Sequence, residues 1–206
     1  MSQAHITWYG HSCFLIELAG GSIVLDPYTI GSVPGLRLPD LSADAVHASH
    51  NHSDHNGTDC VLTSGKPLPF TVREVTGTHD RSGNQGWKDN TILVIEGEGL
   101  RLVHLGDQGC VLTPEQVQEI GKPDLLMVPV GGFCTVGGRE ARQIAAQLEP
   151  TVIVPMHYRA ENIGFDMTDT VDEFLQGELP VVYAQENQFI IEQGMEKQVL
   201  IPKLVQ

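Results

Sequence analysis

Residues 49–57 read Ser-His-Asn-His-Ser-Asp-His-Asn-Gly, and this stretch is the most informative in the chain. It places His50, His52, Asp54 and His55 in the pattern H-x-H-x-D-H. Imidazole and carboxylate groups are costly to bury unless they are paired or bound to a metal, and the stretch holds no apolar side chain. Zinc prefers such nitrogen and oxygen ligands. The pattern therefore indicates a metal site, with a solvated His-rich loop as the alternative interpretation.

The residues before the motif place it at the end of a strand. Residues 44–49 alternate between polar and apolar side chains as a strand does. Ligand sites of layered α/β proteins gather at the carboxyl ends of strands. An extended chain sends His50 and His52 to the same side, whereas Asp54 and His55 start the next element and can face a second ion. One short loop can therefore serve two cations.

Three further candidate ligands each follow an apolar run that is typical of a strand. They are His79 after residues 72–76, Asp107 after residues 100–105, and His157 after residues 151–155. With these positions added, the motif resembles that of the metallo-β-lactamase superfamily, in which later loops complete the ligand set.

The resemblance implies two metal ions that share one carboxylate. It assigns His50, His52 and His79 to the first metal, Asp54, His55 and His157 to the second, and Asp107 to both. Zn(II) is the default metal, and Mn(II) or Fe(II) is also compatible with such a ligand set. The implied fold class is α/β (α+β), an αββα four-layer sandwich with two sheets packed face to face and helices outside.

Short motifs along most of the chain narrow the resemblance to one branch. They are Trp8-Tyr-Gly-His-Ser-Cys-Phe-Leu-Ile, Leu25-Asp-Pro, His104-Leu-Gly-Asp, Pro129-Val-Gly-Gly-Phe-Cys-Thr and Pro155-Met-His-Tyr. This set is similar to that of the short cytosolic metal-dependent hydrolases related to L-ascorbate-6-phosphate lactonase. The lactonase itself is longer, so its substrate is not carried over.

Composition predicts one soluble domain over residues 1–206. A hydrophobic fraction of 41% and a charged fraction of 18% are ordinary for a globular protein. The sequence has neither an apolar run of about 20 residues nor a signal peptide, so we expect a cytoplasmic protein that does not enter the membrane. The four cysteines lack C-x-x-C spacing, and we expect them to be reduced. We expect Cys110 and Cys134 to pack outside the site, with a metal or redox role as the alternative.

The charge of the chain limits its partners. A formal net charge of −14 disfavours nucleic acid, whose binding depends on Lys and Arg. Two divalent cations would make the pocket less acidic than the surface, so a small anionic substrate remains acceptable. The sequence leaves self-association into a homo-oligomer open.

The predicted chemistry is hydrolysis of a small ester, lactone or phosphoester. Two close cations can share a water, lower its pKa to near 7 and stabilise the oxyanion that forms on attack. Asp54 is the candidate for orienting that water or taking its proton, since the chain lacks a G-x-S-x-G nucleophile motif. His11, which follows Gly10, is a second catalytic candidate, with an ordinary turn residue as the alternative.

Supporting roles are predicted for four other residues. By resemblance, the carboxylate of Asp26 accepts a hydrogen bond from a metal-bound imidazole, with a turn-forming Asp as the alternative. The basic residues Arg81, Lys88 and Arg159 follow candidate ligands and can bind a carboxylate or phosphate. Ordinary surface charge is the alternative for these three.

Two other functional classes compete with the hydrolase. An oxygen-handling di-iron protein of the same fold resembles H-x-E-x-D-H, whereas His52 occupies the third position here. A non-catalytic binding module is disfavoured because the ligand set is intact.

For the second half of the chain, we predict helices from Thr113 to Ile120, over residues 139–148, and from Thr170 to near Gly177.

Overall fold

Alternating apolar residues build two large β-sheets and a small one. The structure is a computed structural model that describes residues 2–79 and 90–204. Its strands are β1 (Gln3–Trp8), β2 (Phe14–Leu18), β3 (Gly21–Leu25), β4 (Leu41–Ala43), β5 (Ala45–His47), β6 (Val61–Thr63), β7 (Thr71–Gly77), β8 (Asn90–Gly97), β9 (Leu100–His104), β10 (Leu125–Pro129), β11 (Val152–Met156), β12 (Val181–Tyr183), β13 (Gln188–Glu192) and β14 (Gln198–Ile201). The helices are α1 (Pro114–Ile120) and α2 (Gly138–Leu148), with 3-10 turns at Thr58–Cys60 and Phe174–Gln176.

Strand order defines the two main layers. The first sheet has the order β13-β1-β2-β3-β5, and the second has the order β12-β14-β11-β10-β9-β8-β7. Strands β4 and β6 form a separate two-stranded sheet. This topology and the family comparison reported below confirm the predicted fold class.

The main core lies between the two large sheets. In β2, the alternate side chains Phe14, Ile16 and Leu18 are buried, which is the pattern of a strand with one covered face. They belong to a cluster that includes Leu93 and Met127 of the second sheet. All five residues of β10 are buried, as expected for a strand with both faces covered.

Both α-helices pack on the outer face of the second sheet. Ile120 of α1 and Ile144 of α2 share a core cluster with Val128 of β10. The outer face of the first sheet is covered by residues 27–41 and the small sheet, among them Leu36. Three prolines in residues 27–41 disfavour regular helix there, so this outer layer is loop and short strand in the described residues.

Two of the three predicted helices are confirmed, and the third is wrong. The capping box that predicts α1 is present, with Gln116 N donating to Thr113 Oγ1 at 3.2 Å. At Thr170, the hydroxyl donates to the Asp172 carboxylate at 2.7 Å instead of capping a helix. The carboxylate of Glu173 accepts from Arg139 N at the start of α2, so only a 3-10 turn forms. Tertiary contacts therefore override the local helix signal.

Strand direction explains why the candidate site residues gather. Strands β1 and β3 both pair antiparallel with β2, and β5 is parallel to β3. Strands β7 and β9 both pair antiparallel with β8, and β9, β10 and β11 are parallel. Within each sheet the carboxyl ends of these strands therefore share an edge.

None of the helices in the described residues is long and apolar enough to cross a membrane.

Candidate metal centre

The candidate ligands lie on segments that follow strands of shared direction. His11 follows β1, Asp26 follows β3, residues 50–55 follow β5, His79 follows β7, Asp107 follows β9, and His157 follows β11. Side chains from both sheets meet at this edge, because His55 of the first sheet lies 3.2 Å from Asp107 of the second. The site therefore lies where the carboxyl ends of the strands of both sheets converge.

Asp107 occupies the centre of the cluster. Its Oδ2 lies 3.3 Å from His157 Nε2, 3.4 Å from His79 Nε2 and 3.8 Å from His50 Nε2. Its Oδ1 lies 3.2 Å from His55 Nε2, and the side chain is 2% exposed. One buried carboxylate thus faces four imidazoles, an arrangement that could hold a cation.

The potential ligand atoms around Asp107 form two groups. One group is His50, His52 and His79, and the other is His11, Asp54, His55 and His157, with all ligand atoms of a group within 4.8 Å of one another. The seven candidate ligands therefore lie close together, but His50, His55 and Asp107 also form a group of their own, so the assignment of each ligand to one of two ions stays a prediction. The structure adds His11 to the second group.

Buried atoms without hydrogen bonds test whether a cation fits. In the part of the chain that the structure describes, His55 Nε2 and Asp107 Oδ1 are buried and make no hydrogen bond, although they lie 3.2 Å from each other. Each such group costs about 1–3 kcal/mol when it stays unsatisfied. Cations between these atoms would remove that cost. Imidazole and carboxylate donors suit zinc and also accept manganese or iron, so the residues present fit the metal centre.

The two carboxylates of the cluster are ionised at neutral pH. Burial opposes ionisation of Asp107, but the charges of His157 and His55 hold its pKa well below the usual value. Burial also opposes ionisation of Asp54, and the hydrogen bond from His11 with the charge of His55 lowers its pKa. The site therefore presents two negative charges to a cation.

Most of the imidazoles that are perturbed by burial are neutral at pH 7. Burial lowers the pKa of His11 to about 4 and that of His50 to about 3, so these rings offer a lone pair. His55 differs, because the charges of Asp107 and Asp26 outweigh its burial and raise its pKa well above the usual value. A proton and a metal ion therefore compete for His55.

Asp26 holds two candidate ligands in one tautomer. His55 Nδ1–H donates to Asp26 Oδ2 at 2.7 Å, and Ser49 donates to the same carboxylate through Oγ and N, both at 2.6 Å. Since Ser49 Oγ lies 3.0 Å from His50 Nδ1, that ring donates to the hydroxyl. Both imidazoles then turn Nε2 towards Asp107. Asp26 is fully buried and has φ +45°, a conformation that non-glycine residues seldom adopt.

His11 is part of the cluster and not an exposed turn residue. Its side chain is 2% exposed, and Nε2–H donates to Asp54 Oδ2 at 3.2 Å. Its ring centroid lies 4.1 Å from that of His157. The carbonyl of His11 accepts from Trp8 Nε1 and from His157 N, which fixes its φ of +50°. Through this hydrogen bond to Asp54, His11 contacts the second group of ligands directly.

The structure describes one of the three predicted basic residues, Arg159. Arg159 Nε donates to the carbonyl of Thr168 at 3.2 Å, which ties the loop after β11 together. Arg81 and Lys88 lie outside the described residues. Substrate binding by these three residues stays a prediction.

Several residues that support the site carried little signal in the sequence. Asn90 Oδ1 accepts from Asp107 N at 2.9 Å and so fixes the central carboxylate. Gly106 has φ +54°, and a Cβ there would lie 2.2 Å from Asn90 Oδ1 and 2.6 Å from Ser49 Cβ. The glycine before Asp107 was a signal for this close approach, whereas Asn90 and Ser49 belong to no motif.

Comparison with known proteins identifies the family. A model described as the β-lactamase superfamily domain matches residues 5–157, a range that spans every candidate ligand from His11 to His157. A crystal structure of a metallo-β-lactamase superfamily protein from Thermotoga maritima is 35% identical, with a TM-score of 0.74 over 98% of this chain and 100% of that chain. The chain belongs to the metallo-β-lactamase superfamily. The superfamily and the fold class predicted from the sequence are therefore confirmed.

Two other proteins are similar to this chain over most of its length. A UPF0173 metal-dependent hydrolase of Methanopyrus kandleri is 27% identical over 192 residues, which cover 74% of this chain and 83% of the relative. The isothiocyanate hydrolase from Delia radicum gut bacteria is 17% identical, with a TM-score of 0.62 over 98% of this chain and 96% of that chain, and shows the fold alone. The narrower relation to L-ascorbate-6-phosphate lactonase stays a prediction.

Proposed function

We propose that this superfamily member is a dinuclear metal-dependent hydrolase of a small ester, lactone or phosphoester. The observation that carries the proposal is the buried Asp107 carboxylate within 3.8 Å of imidazoles from both ligand groups. Relatives support it: the Methanopyrus kandleri protein is named a metal-dependent hydrolase, and the description of the Thermotoga maritima protein proposes zinc dependence.

Two ions fit the number of donors better than one. The proposed ligands are His50, His52 and His79 for the first ion, Asp54, His55 and His157 for the second, and Asp107 for both. Structural zinc uses four ligands, so seven donors exceed what one ion can bind. When bound, two such cations supply a hydroxide nucleophile at neutral pH and stabilise the developing oxyanion. Zinc is the default ion, with manganese or iron as alternatives.

Asp54 and His11 are the proposed catalytic residues. Asp54 is ionised at neutral pH and can orient the attacking water or accept its proton. His11 Nε2–H donates to Asp54 Oδ2 at 3.2 Å and so fixes the direction of that carboxylate. The ring of Phe165 contacts His11 edge-on with centroids 5.7 Å apart, and this contact covers one side of the imidazole. The pair is therefore held in place before substrate arrives.

The proposed substrate is a small molecule that can carry negative charge. Divalent cations attract an anion locally even though the whole chain has a formal net charge of −14. The same charge opposes binding of nucleic acid. We further propose that residues 1–206 act as one domain in the cytoplasm.

The test combines metal analysis with kinetics on the purified protein. A panel of p-nitrophenyl esters, lactones and bis(p-nitrophenyl) phosphate reports the class of bond that is cleaved, and elemental analysis reports the metal content. We expect two divalent ions per chain. Asp54→Asn should lower kcat about 100-fold or more with a smaller change in KM, because the lost interaction belongs to the transition state.

Asp44→Asn is the matched control for Asp54→Asn. Asp44 also accepts several hydrogen bonds, from Ser22 and Ser64, but it belongs to neither ligand group. Its substitution should leave kcat and metal content unchanged. A fully metallated Asp54→Asn protein with wild-type kcat would rule out a catalytic role for Asp54. Full activity with one ion per chain would rule out the dinuclear site, and a trapped acyl-enzyme would rule out direct attack by water.

A further inference from the structure

Cys134 lies beside the metal centre, on the side of His79 and Asp107. Its sulfur and one ligand atom of each of these two residues all lie within 4.8 Å of one another. The other cysteines differ, because Cys13 is buried and Cys60 and Cys110 are exposed. In the described part of the chain, none of those three belongs to a potential ligand group. Cys134 is therefore the thiol to consider at the site.

The loop that carries Cys134 is fixed by hydrogen bonds to the ligand segment. Val136 N donates at 2.8 Å to the carbonyl of Gln108, the residue that follows the central carboxylate. Gly132 N donates to Val136 O at 3.1 Å, and the buried Thr135 donates through Oγ1 to Gly132 O at 3.2 Å. The position of Cys134 is thus set by contacts within the fold.

Backbone strain accompanies this arrangement. Phe133 has φ +60°, a conformation that costs a non-glycine residue about 1–3 kcal/mol. Its side chain is 64% exposed, whereas the next side chain, Cys134, is partly buried against the ligands. Such strain persists where the surrounding structure imposes it, often at functional sites.

A second observation points to a cation beside Asp107. Asp107 is 1% exposed, and its Oδ1 makes no hydrogen bond among the described residues, although His55 Nε2 lies 3.2 Å away. An unsatisfied buried carboxylate oxygen indicates an ion or donor that the protein chain itself does not supply. The sulfur of Cys134 lies within coordination reach of a cation shared with this carboxylate and His79.

We propose that Cys134 is a thiolate ligand to the cation held by His79 and Asp107, as a fifth donor beside His50 and His52, and that it favours zinc over manganese there. The proposal rests on the metal centre of the proposed function. Binding forms a sulfur–metal bond and releases the thiol proton to solvent, with no change of oxidation state. Thiolate ligands select softer ions such as zinc, whereas carboxylate and water suit manganese.

Cobalt is the probe for the sulfur–metal bond. Metal-free protein is loaded with Co(II) alone, and the near-ultraviolet thiolate-to-cobalt charge-transfer band is recorded. We expect the band in the wild type and in the control Cys60→Ser, and its loss in Cys134→Ser. Zinc-loaded and metal-free wild type are also alkylated with iodoacetamide and mapped by mass spectrometry. Zinc should protect Cys134 and leave the exposed Cys60 reactive.

The outcomes separate this proposal from the proposed function. A protein that binds its full complement of cobalt without the charge-transfer band, and whose Cys134 is alkylated equally with and without zinc, overturns the role of Cys134 alone. A band that persists in Cys134→Ser also overturns it. A protein that takes up no metal overturns the metal centre as well. If Cys134→Ser fails to fold, the cobalt spectrum and the alkylation pattern of the wild type still decide.

Discussion

Replacing Asp26 by Asn removes one acceptor oxygen from a fully buried carboxylate. Asp26 Oδ1 accepts from Ser49 N at 2.6 Å, and Oδ2 accepts from Ser49 Oγ at 2.6 Å and from His55 Nδ1 at 2.7 Å. An amide offers one acceptor oxygen, so its NH2 group must face either the Ser49 backbone N–H or the other two donors. Whichever way the amide turns, at least one buried donor loses its partner.

The size of the effect follows from these contacts. A buried donor without a partner costs about 1–3 kcal/mol, and hydrogen bonds to a charged acceptor contribute about 1.5–3 kcal/mol each. We therefore expect Asp26→Asn to lower the free energy of unfolding by about 2–4 kcal/mol. The tautomers of His55 and His50 are also released, and the loss of such a carboxylate weakens metal binding about 10 to 100-fold.

Urea unfolding and zinc titration against a chromophoric chelator measure the two effects. Asp44→Asn is the control, because Asp44 accepts hydrogen bonds from Ser22 and Ser64 outside the ligand groups. That variant should keep the zinc affinity of the wild type. If Asp26→Asn also bound zinc with wild-type affinity, Asp26 would be a turn residue only, and the argument from the tautomers would be refuted.

Two further predictions concern backbone space and protons. Gly106→Ala places a Cβ 2.2 Å from Asn90 Oδ1 at φ +54°, so it should lower the free energy of unfolding by about 2–4 kcal/mol. The control Gly20→Ala, at φ +82° with no described neighbour within 4 Å, should lower it less. Equal losses for the two variants in urea unfolding would contradict this. Zinc binding at pH 7 should release a proton from His55, whose pKa is raised, so affinity should rise with pH towards that pKa. Calorimetry in buffers of different ionisation enthalpy measures the release, and its absence would contradict the assignment.

The edge at which the ligands gather was predictable from the sequence. Residues 50–55 follow an alternating segment, and His79, Asp107 and His157 each follow an apolar run of strand length. Ligands at the carboxyl ends of parallel strands meet because those ends share an edge. The spacing of H-x-H-x-D-H carried the rest of the prediction, since few other roles explain so many polar side chains together.

Backbone conformation at the site was not predictable. His11, Asp26 and His157 all have φ between +45° and +53° directly after a strand or in the turn that follows it. A glycine in a sequence can indicate such a conformation, whereas His and Asp do not. The surrounding contacts impose it, as when His157 N donates to the carbonyl of His11. Only the folded arrangement of two distant segments supplies this information.

Short elements that depend on distant partners were also missed. The strands β4, β6 and β14 have three or four residues each, too few for an alternating pattern to identify them. The helix predicted from Thr170 failed because Glu173, which would complete a capping box with Thr170, accepts from Arg139 N of α2. A local pattern cannot report that a side chain is already engaged by another element.

The position of the ligands couples the metal centre to the packing of the two sheets. Residues 50–55 follow a strand of the first sheet, whereas His79, Asp107 and His157 follow strands of the second. Cations bound by both sets would join the sheets at the edge where Asp107 Oδ1 and His55 Nε2 make no hydrogen bond among the described residues. A ligand that binds only the folded state stabilises it by about 4.1 kcal/mol at 1,000 times its Kd. The same residues that would activate water would therefore also stabilise the sandwich, which explains why costly ionisable groups can occupy a buried edge.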